Sequence, residues 1–460
     1  MIFLNCFLSF SQGAKNQIYI RSINISGNKV TKASIINNEL TFKINDTLSV
    51  EEFNKRLRAS SENLENLSLF NFVYINHDID SISQSANILP VDVKIKLVER
   101  WYIWPYPILE HADRNFSNFI KEKDWSRINY GGYLAWYNFR GRAENVHLKF
   151  RYGFKEQTEL SYTVPNIDKS KKHGICTSFA YFRQKSLPVN TARNKLVYIT
   201  NSDKYLTKYY NFKFIYRFRQ KLNIYHYLSI INNRFFIDDT LAEINPLYTG
   251  GNYNDLYFTQ LYYTFLIDYR NLKYYPTKGY LVEFRLGKTG FSNNPDIDYI
   301  NYQAEISKYF SINNRFYYSV RFKTVLTAGT NNAYVCLGGL GYDDYLRGFE
   351  YYVINSNNYL LFNNMLRWNV ISKKIFKIPY INTEKISKVH YSAYLGTFFD
   401  SGYAGNDEKI TINNYLADDF LYSYGISFDF VTYYDKLLRI ELSRNNYNET
   451  GVYIDFKKYF

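Results

Sequence analysis

No stretch of about 18 apolar residues occurs in this sequence, so no helix of it is long and greasy enough to cross a bilayer. Cysteine is scarce. Cys6, Cys176 and Cys336 have no CxxC spacing and no neighbouring histidine cluster, which excludes a zinc site or a thioredoxin-like redox motif. The six histidines are scattered and none forms HExxH. GxSxG, a Gly-rich phosphate loop and a paired-carboxylate motif are missing as well, which removes the common hydrolase and nucleotide-binding signatures. The sequence therefore offers no catalytic residue, no metal ligand set and no cofactor site, and the expectation is a protein that is not an enzyme. Glycine (22) and proline (9) are few for 460 residues, whereas tyrosine (49) and phenylalanine (36) are abundant.

What the chain does have is alternation. Val146, Leu148, Phe150 and Tyr152 interleave with His147, Lys149 and Arg151. Tyr422, Tyr424, Ile426, Phe428 and Phe430 interleave with Ser423, Gly425, Ser427 and Asp429, and Val452, Ile454 and Phe456 with Tyr453, Asp455 and Lys457. Side chains of a strand point to opposite faces in turn, so each segment has one greasy and one wet face. A soluble sandwich also alternates, but it hides its apolar face in a dry core. Here the apolar face is rich in Tyr and Phe and the other is charged, which suits a barrel with lipid outside and water inside. About sixteen such segments follow one another from 101–109 to 450–460, an even number in the range of bacterial barrels. Long connections interrupt them at 236–254 and 327–356. The fold class expected is an all-β transmembrane barrel. The net charge of +14 would suggest nucleic acid in a soluble protein. Here much of it lies on the wet strand faces, and anionic lipid is an equally good partner for cationic loops, so nucleic acid is not expected.

The first hundred residues read differently. Residues 1–14 are an apolar stretch followed by small and polar residues, as in a short secretory signal peptide, without the usual Lys or Arg at the start. Residues 15–99 then read β-α-α-β-β: a strand over 18–25, a helix over 31–40, a second helix opened by the capping box Ser49-Val50-Glu51-Glu52, and strands over 70–76 and 91–98. The second helix places Phe53, Leu57 and Leu64 on one face.

That order, with Ile23-Asn24-Ile25-Ser26-Gly27-Asn28 at the first turn, Leu67 to Val73 entering a strand and Val93 to Arg100 ending the unit, resembles a polypeptide-transport-associated (POTRA) domain. Within 327–356, Gly338-Gly339-Leu340-Gly341-Tyr342-Asp343-Asp344-Tyr345-Leu346-Arg347-Gly348-Phe349 carries the (V/I/L)RG(F/Y) signature of the BamA/TamA family of outer-membrane assembly barrels. Phe398-Phe399-Asp400-Ser401-Gly402 matches that family's F-x-D-x-G strand, and Asp268-Tyr269-Arg270 with Pro276-Thr277-Lys278-Gly279 matches its D-x-R…P-T-x-G hairpin. The resemblance implies one POTRA-like periplasmic domain (15–99) and an outer-membrane barrel (100–460) whose loop 327–356 folds inward. It implies a loop–barrel lock of Arg347, Gly348 and Phe349 against Phe398, Asp400 and Gly402. An Arg fork and a carboxylate pair bidentately, and glycines at 348 and 402 allow a tight turn and a close approach. One departure stands out. Where the family has Glu in an N-x-E-x-R stretch, this chain has Met365 in Asn363-Asn364-Met365-Leu366-Arg367, so a second carboxylate for Arg347 is expected to be missing.

The first segment, Trp101 to Leu109, contains Pro105 and Pro107. Proline has no N–H and belongs on edges, and two prolines two apart weaken the same edge. Facing a last strand that ends in Phe460, that edge makes a weak seam; the other reading of 101–109 is a linker. The resemblance implies an insertase that binds unfolded outer-membrane proteins and opens at this seam, with outer-membrane lipid, lipopolysaccharide and periplasmic or lipoprotein accessory subunits as further partners. A polypeptide translocator of the two-partner-secretion type is the alternative, and a passive porin comes last.

Overall fold

The computed structural model describes residues 17–79, 88–111, 128–153, 155–201, 204–251, 253–406 and 414–458. The expected signal peptide and Phe460 lie outside them. The chain divides into two units, Met1–Arg100 and Trp101–Phe460.

The N-terminal unit contains β1 (Gln17–Ser26), α1 (Ala33–Asn37), β2 (Thr47–Ser49), α2 (Val50–Asn66), β3 (Phe70–Ile79) and β4 (Ile88–Glu99). Its sheet runs β2-β1-β4-β3, with β1 and β4 parallel and β3 at one edge. Ile20, Val91, Val93 and Ile95 on the sheet and Phe53 and Leu64 on α2 are buried and form its core. Ser49 caps α2 by accepting from Glu52 N at 3.2 Å. The carboxylate of Glu52 takes Arg56 Nε at 2.9 Å, so the Glu half of the expected capping box is spent on an i,i+4 pair. The first helix is only five residues long, not ten. Its N-cap, Lys32, has no side-chain acceptor to hold the first turn. The short strand β2 was not expected.

The second unit is a single antiparallel sheet of sixteen strands. In chain order these are β5 (Ile103–His111), β6 (Ile128–Phe139), β7 (Glu144–Gly153), β8 (Lys155–Val164), β9 (His173–Gln184), β12 (Thr207–Lys221), β13 (Ile224–Ile237), β14 (Asp255–Asp268), β15 (Gly279–Gly290), β16 (Ile297–Ser311), β17 (Phe316–Asn331), β20 (Tyr359–Lys377), β21 (Lys388–Ala404), β22 (Leu421–Thr432), β23 (Lys436–Asn445) and β24 (Thr450–Lys458). Two small hairpins sit in its loops, β10 (Ser186–Ala192) with β11 (Lys195–Thr200), and β18 (Gly339–Leu340) with β19 (Ile354–Asn355). Each main strand pairs with its neighbours in sequence, and the sheet curls until its start meets its end. Trp101 N donates to Tyr434 Oη at 2.9 Å, and the rings of Trp104 and Tyr434 meet edge-on at 4.9 Å, beside the turn between β22 and β23. The end where Trp101 enters is called the near end, and the other the far end.

Exposure inverts the rule for a soluble protein. On β22, Tyr424 (50 %) and Ile426 (59 %) are exposed, while Ser423 (0 %), Ser427 (3 %) and Asp429 (0 %) are buried. On β23, Ile440 and Leu442 are exposed while Glu441 and Ser443 are buried. Apolar side chains outward and polar ones inward around a curled wall is the pattern of a barrel solvated by lipid. The wall is uneven. β5 and β24 have 9 residues each, whereas β16, β17, β20 and β21 have 15 to 19. At about 3.4 Å per residue that is roughly 30 Å of strand against 50 Å or more.

Candidate functional site: the plugged lumen

β17 ends at Asn331 and β20 begins at Tyr359, so the far-end loop is 332–358. It enters the barrel and is pinned twice. The first pin is Asp344. Its carboxylate takes Arg321 Nη2 at 3.0 Å, Lys323 Nζ at 2.6 Å and Tyr359 Oη at 2.7 Å. Arg321 and Lys323 are two apart on β17 and therefore share the lumen face.

The second pin is Arg347. Its Nε and Nη2 donate to the two oxygens of Asp400 on β21, both at 2.6 Å, a bidentate fork. Asp400 is fully buried and also accepts from Asn363 Nδ2 at 2.8 Å. The guanidinium lies over the Phe398 ring, 3.8 Å from its centre, which adds a cation–π contact. Nη2 reaches the Asn364 carbonyl at 3.2 Å. Gly348 follows with φ +81°, and a Cβ there would lie 3.0 Å from Ser423 Cβ, so only glycine fits both the backbone and the space. Asn445 Nδ2 donates to the Gly348 carbonyl at 3.1 Å, and Ser423 Oγ to that of Arg347. Phe349 is buried with Leu340, Leu346, Ile354, Leu361 and Leu421. Gly402 stands against Leu340 and Leu346, with 3.4 and 3.6 Å left for a Cβ. The structure thus brings together Arg347, Gly348, Phe349, Phe398, Asp400 and Gly402.

Above this, the far-end hairpin β10–β11 closes over the loop. Arg193 and Asn194 turn it with φ of +49° and +57°, as a type I′ turn requires. Asn194, fully buried, takes Val353 N on its carbonyl at 2.8 Å and Leu416 N on its side chain at 3.2 Å.

The near end is stoppered by the turn between β14 and β15. Asp268 and Arg270 pair bidentately at 2.8 and 2.9 Å. Asn271 Oδ1 accepts from Thr277 N and Lys278 N, both at 3.1 Å, which folds 269–278 into a compact knot. Tyr275 projects from it into the lumen, is buried, and donates to Asp429 Oδ2 on β22 at 2.9 Å. Arg367 on β20 covers the Tyr275 ring at 4.7 Å and donates to the Pro276 carbonyl at 2.7 Å. Between this turn and the loop lies a cavity of about 490 Å³, lined among others by Arg270, Tyr275, Arg321, Arg347, Arg439 and Glu441.

A family model described as the Omp85 superfamily domain matches residues 138–432, more than half of the chain. The chain belongs to the Omp85 superfamily. A POTRA model, described as a surface antigen variable number repeat, matches residues 18–100. Among solved structures, CdiB from Escherichia coli is similar at 10 % identity and a TM-score of 0.52, over 95 % of this chain and 75 % of that one. BamA from Haemophilus ducreyi lacking POTRA domains 1–3 aligns at 17 % identity and a TM-score of 0.47, over 95 % and 83 % of the two chains. CdiB from Acinetobacter baumannii aligns at 12 % and 0.46, over 95 % and 73 %. At these identities the likeness is one of fold, and the first carries it. No curated protein matches the sequence.

Three residues that hold the loop and the turn in the lumen of this Omp85 chain were not singled out by the sequence. Asp344 stood within the quoted loop motif, and its cations were visible as alternate residues of β17. Tyr275 stood one residue before a quoted motif. Glu441 carried only the signal of a carboxylate on a wet strand face. At the other end of the sheet, Tyr102 O accepts from Tyr137 N at 2.8 Å. In an antiparallel pair the backbone groups of alternate residues point to the same side, so Tyr102, Trp104 and Tyr106 face β6, and Pro105 and Pro107 face the free edge. Among the described residues no ladder joins β5 to β24.

Proposed function

We propose that this protein is an outer-membrane assembly factor: it accepts unfolded β-strands at its open sheet edge and releases them into the bilayer without covalent chemistry. The observation that carries this reading is the sheet that, among the described residues, ends without a ladder between β5 and β24, with Pro105 and Pro107 on the free edge of β5. An exposed edge is a template for strand addition, and prolines keep it from closing into a full ladder. The low wall on that side favours a thinned bilayer, where the barrier to inserting a strand is lower. The N-terminal unit sits on the periplasmic side in this reading, and its edge strand β3 holds client strands by the same pairing. Clients are unfolded barrel proteins, with lipid, lipopolysaccharide and periplasmic or lipoprotein subunits as accessory partners. The Arg347 lock keeps the lumen shut while the edge works. Export through the lumen, the competing reading, requires both the loop and the near-end turn to leave.

The test is reconstitution in liposomes with denatured barrel clients, scored by heat-modifiable gel mobility. Client folding at least severalfold faster than in empty liposomes, and slowed by Arg347→Ala, is the expected result. Export of polypeptide through the barrel without any acceleration of folding would replace this reading with that of a translocator.

A further inference from the structure

Arg347 has a second carboxylate after all, on β23, three strands along the sheet from the β20 position that its relatives' motif would supply. At position 365 the fork finds only thioether sulfur, with Nη1 at 3.7 Å from Met365 Sδ, a weak acceptor. From β23, Glu441 reaches the same Nη1 with Oε1 at 3.4 Å and is itself buried. Glu441 does not act on Arg347 alone. It lies 3.9 Å from Arg439 Nε, two residues earlier on the same lumen face. Arg439 in turn grips Asp429 bidentately at 2.7 and 2.8 Å. Asp429 is the acceptor of the Tyr275 hydroxyl. A continuous line of charges thus runs Asp400, Arg347, Glu441, Arg439, Asp429 and ends on the neutral Tyr275 hydroxyl, from the loop that enters at the far end to the turn that stops the near end.

We propose that Glu441 is a positioning residue that replaces the carboxylate missing at Met365, and that through Arg439 it couples the seated loop to the near-end turn as a second plug. Buried charges in such a line are mutually dependent. If Arg347 leaves, Glu441 keeps Arg439 as its cation among the described residues, Arg439 is drawn from Asp429, and Tyr275 loses its acceptor. The coupling is reciprocal by thermodynamic necessity. It rests on the reading of loop 332–358 as a lock that Arg347 holds in the lumen, and its test does not involve client folding, so the two fail separately.

Two cysteine reporters make the test, in the full chain with Cys6, Cys176 and Cys336 changed to alanine. Ser443→Cys lies beneath Gly348 and is labelled by a water-soluble thiol reagent only when the loop leaves. Val431→Cys lies beneath Tyr275 and reports the turn. Glu441→Gln is expected to raise labelling of Ser443→Cys about tenfold and of Val431→Cys about fivefold, in the range of ordinary coupling. Adding Met365→Glu, which returns a carboxylate to Arg347 from β20, is expected to restore protection of Ser443→Cys. A merely structural role for Glu441 predicts no such rescue from a different strand. Tyr275→Phe is expected to raise labelling of both reporters in the parent, and of Val431→Cys alone in Glu441→Gln/Met365→Glu. Unchanged Ser443→Cys labelling in Glu441→Gln, or no rescue, overturns the positioning role. Unchanged Ser443→Cys labelling in Tyr275→Phe overturns the coupling. Rapid labelling of Ser443→Cys in the parent overturns the seated loop itself.

Discussion

Arg347 and Asp400 show how a single buried pair is worth more in its breaking than in its presence. Two ions taken from water lose hydration that their attraction only partly restores, so the intact pair adds little net stability, but an orphaned partner is costly. Arg347→Leu leaves the fully buried Asp400, among the described residues, with Asn363 and the backbone N–H of Asn364 as donors. The expected cost is about 3–5 kcal/mol for either single change, Arg347→Leu or Asp400→Leu. The double change should cost less than the sum, because no charge is left behind. Thermal denaturation of the parent and the three variants in detergent, followed by gel mobility, checks this. Additive losses would mean that the two side chains do not depend on one another.

At the scale of the element, strands were legible because their signal is local. Sixteen period-two segments appear in the sequence, and sixteen strands form the sheet. The β10–β11 hairpin was not legible: β10 has 7 residues with Pro188 among them, β11 has 6, and its reason for folding is Asn194, whose partners Val353 and Leu416 lie more than 150 positions away. The same limit hid Glu441. That it faces the lumen follows from alternation; that it meets Arg347 follows only from the curvature of the whole wall. In the N-terminal unit, β1 bulges between Ile20 and Ser22 where it meets Asp92 of β4. Arg21 Nε donates to that carboxylate at 3.0 Å and Ser22 Oγ at 2.6 Å. The Arg21 guanidinium, with Ser22, holds Asp92 down to about 2 from its ordinary 3.8. Its folded value lies below its unfolded one, so this contribution to stability is present above pH 3.8 and is lost as pH falls toward 2. Arg21→Gln should move the Asp92 midpoint, read by carboxyl carbon NMR, back toward 3.8. A midpoint unmoved by that change would assign the shift to another cause.

For the whole molecule, the open sheet is the feature with most at stake. Pro105→Val/Pro107→Val restores two N–H groups to the free edge of β5. If edge opening is the working step, this variant should hold its barrel fold at higher temperature and accelerate client folding several times less than the parent. Equal activity in a demonstrably tighter barrel would separate the edge from the function.

The inverted faces of the wall carry a further cost that falls on the chain before it is finished. Each outward Tyr, Phe, Ile and Leu of β22 to β24 is stable only against lipid. In water the half-made sheet has no dry interior to collapse into, because its inward face is Ser, Asp, Glu and Arg. Aggregation is then the competing fate of the newborn polypeptide, and an escort through the aqueous compartment becomes a condition of its own birth. By its own surface chemistry, the molecule is a member of the class of substrates it is proposed to serve.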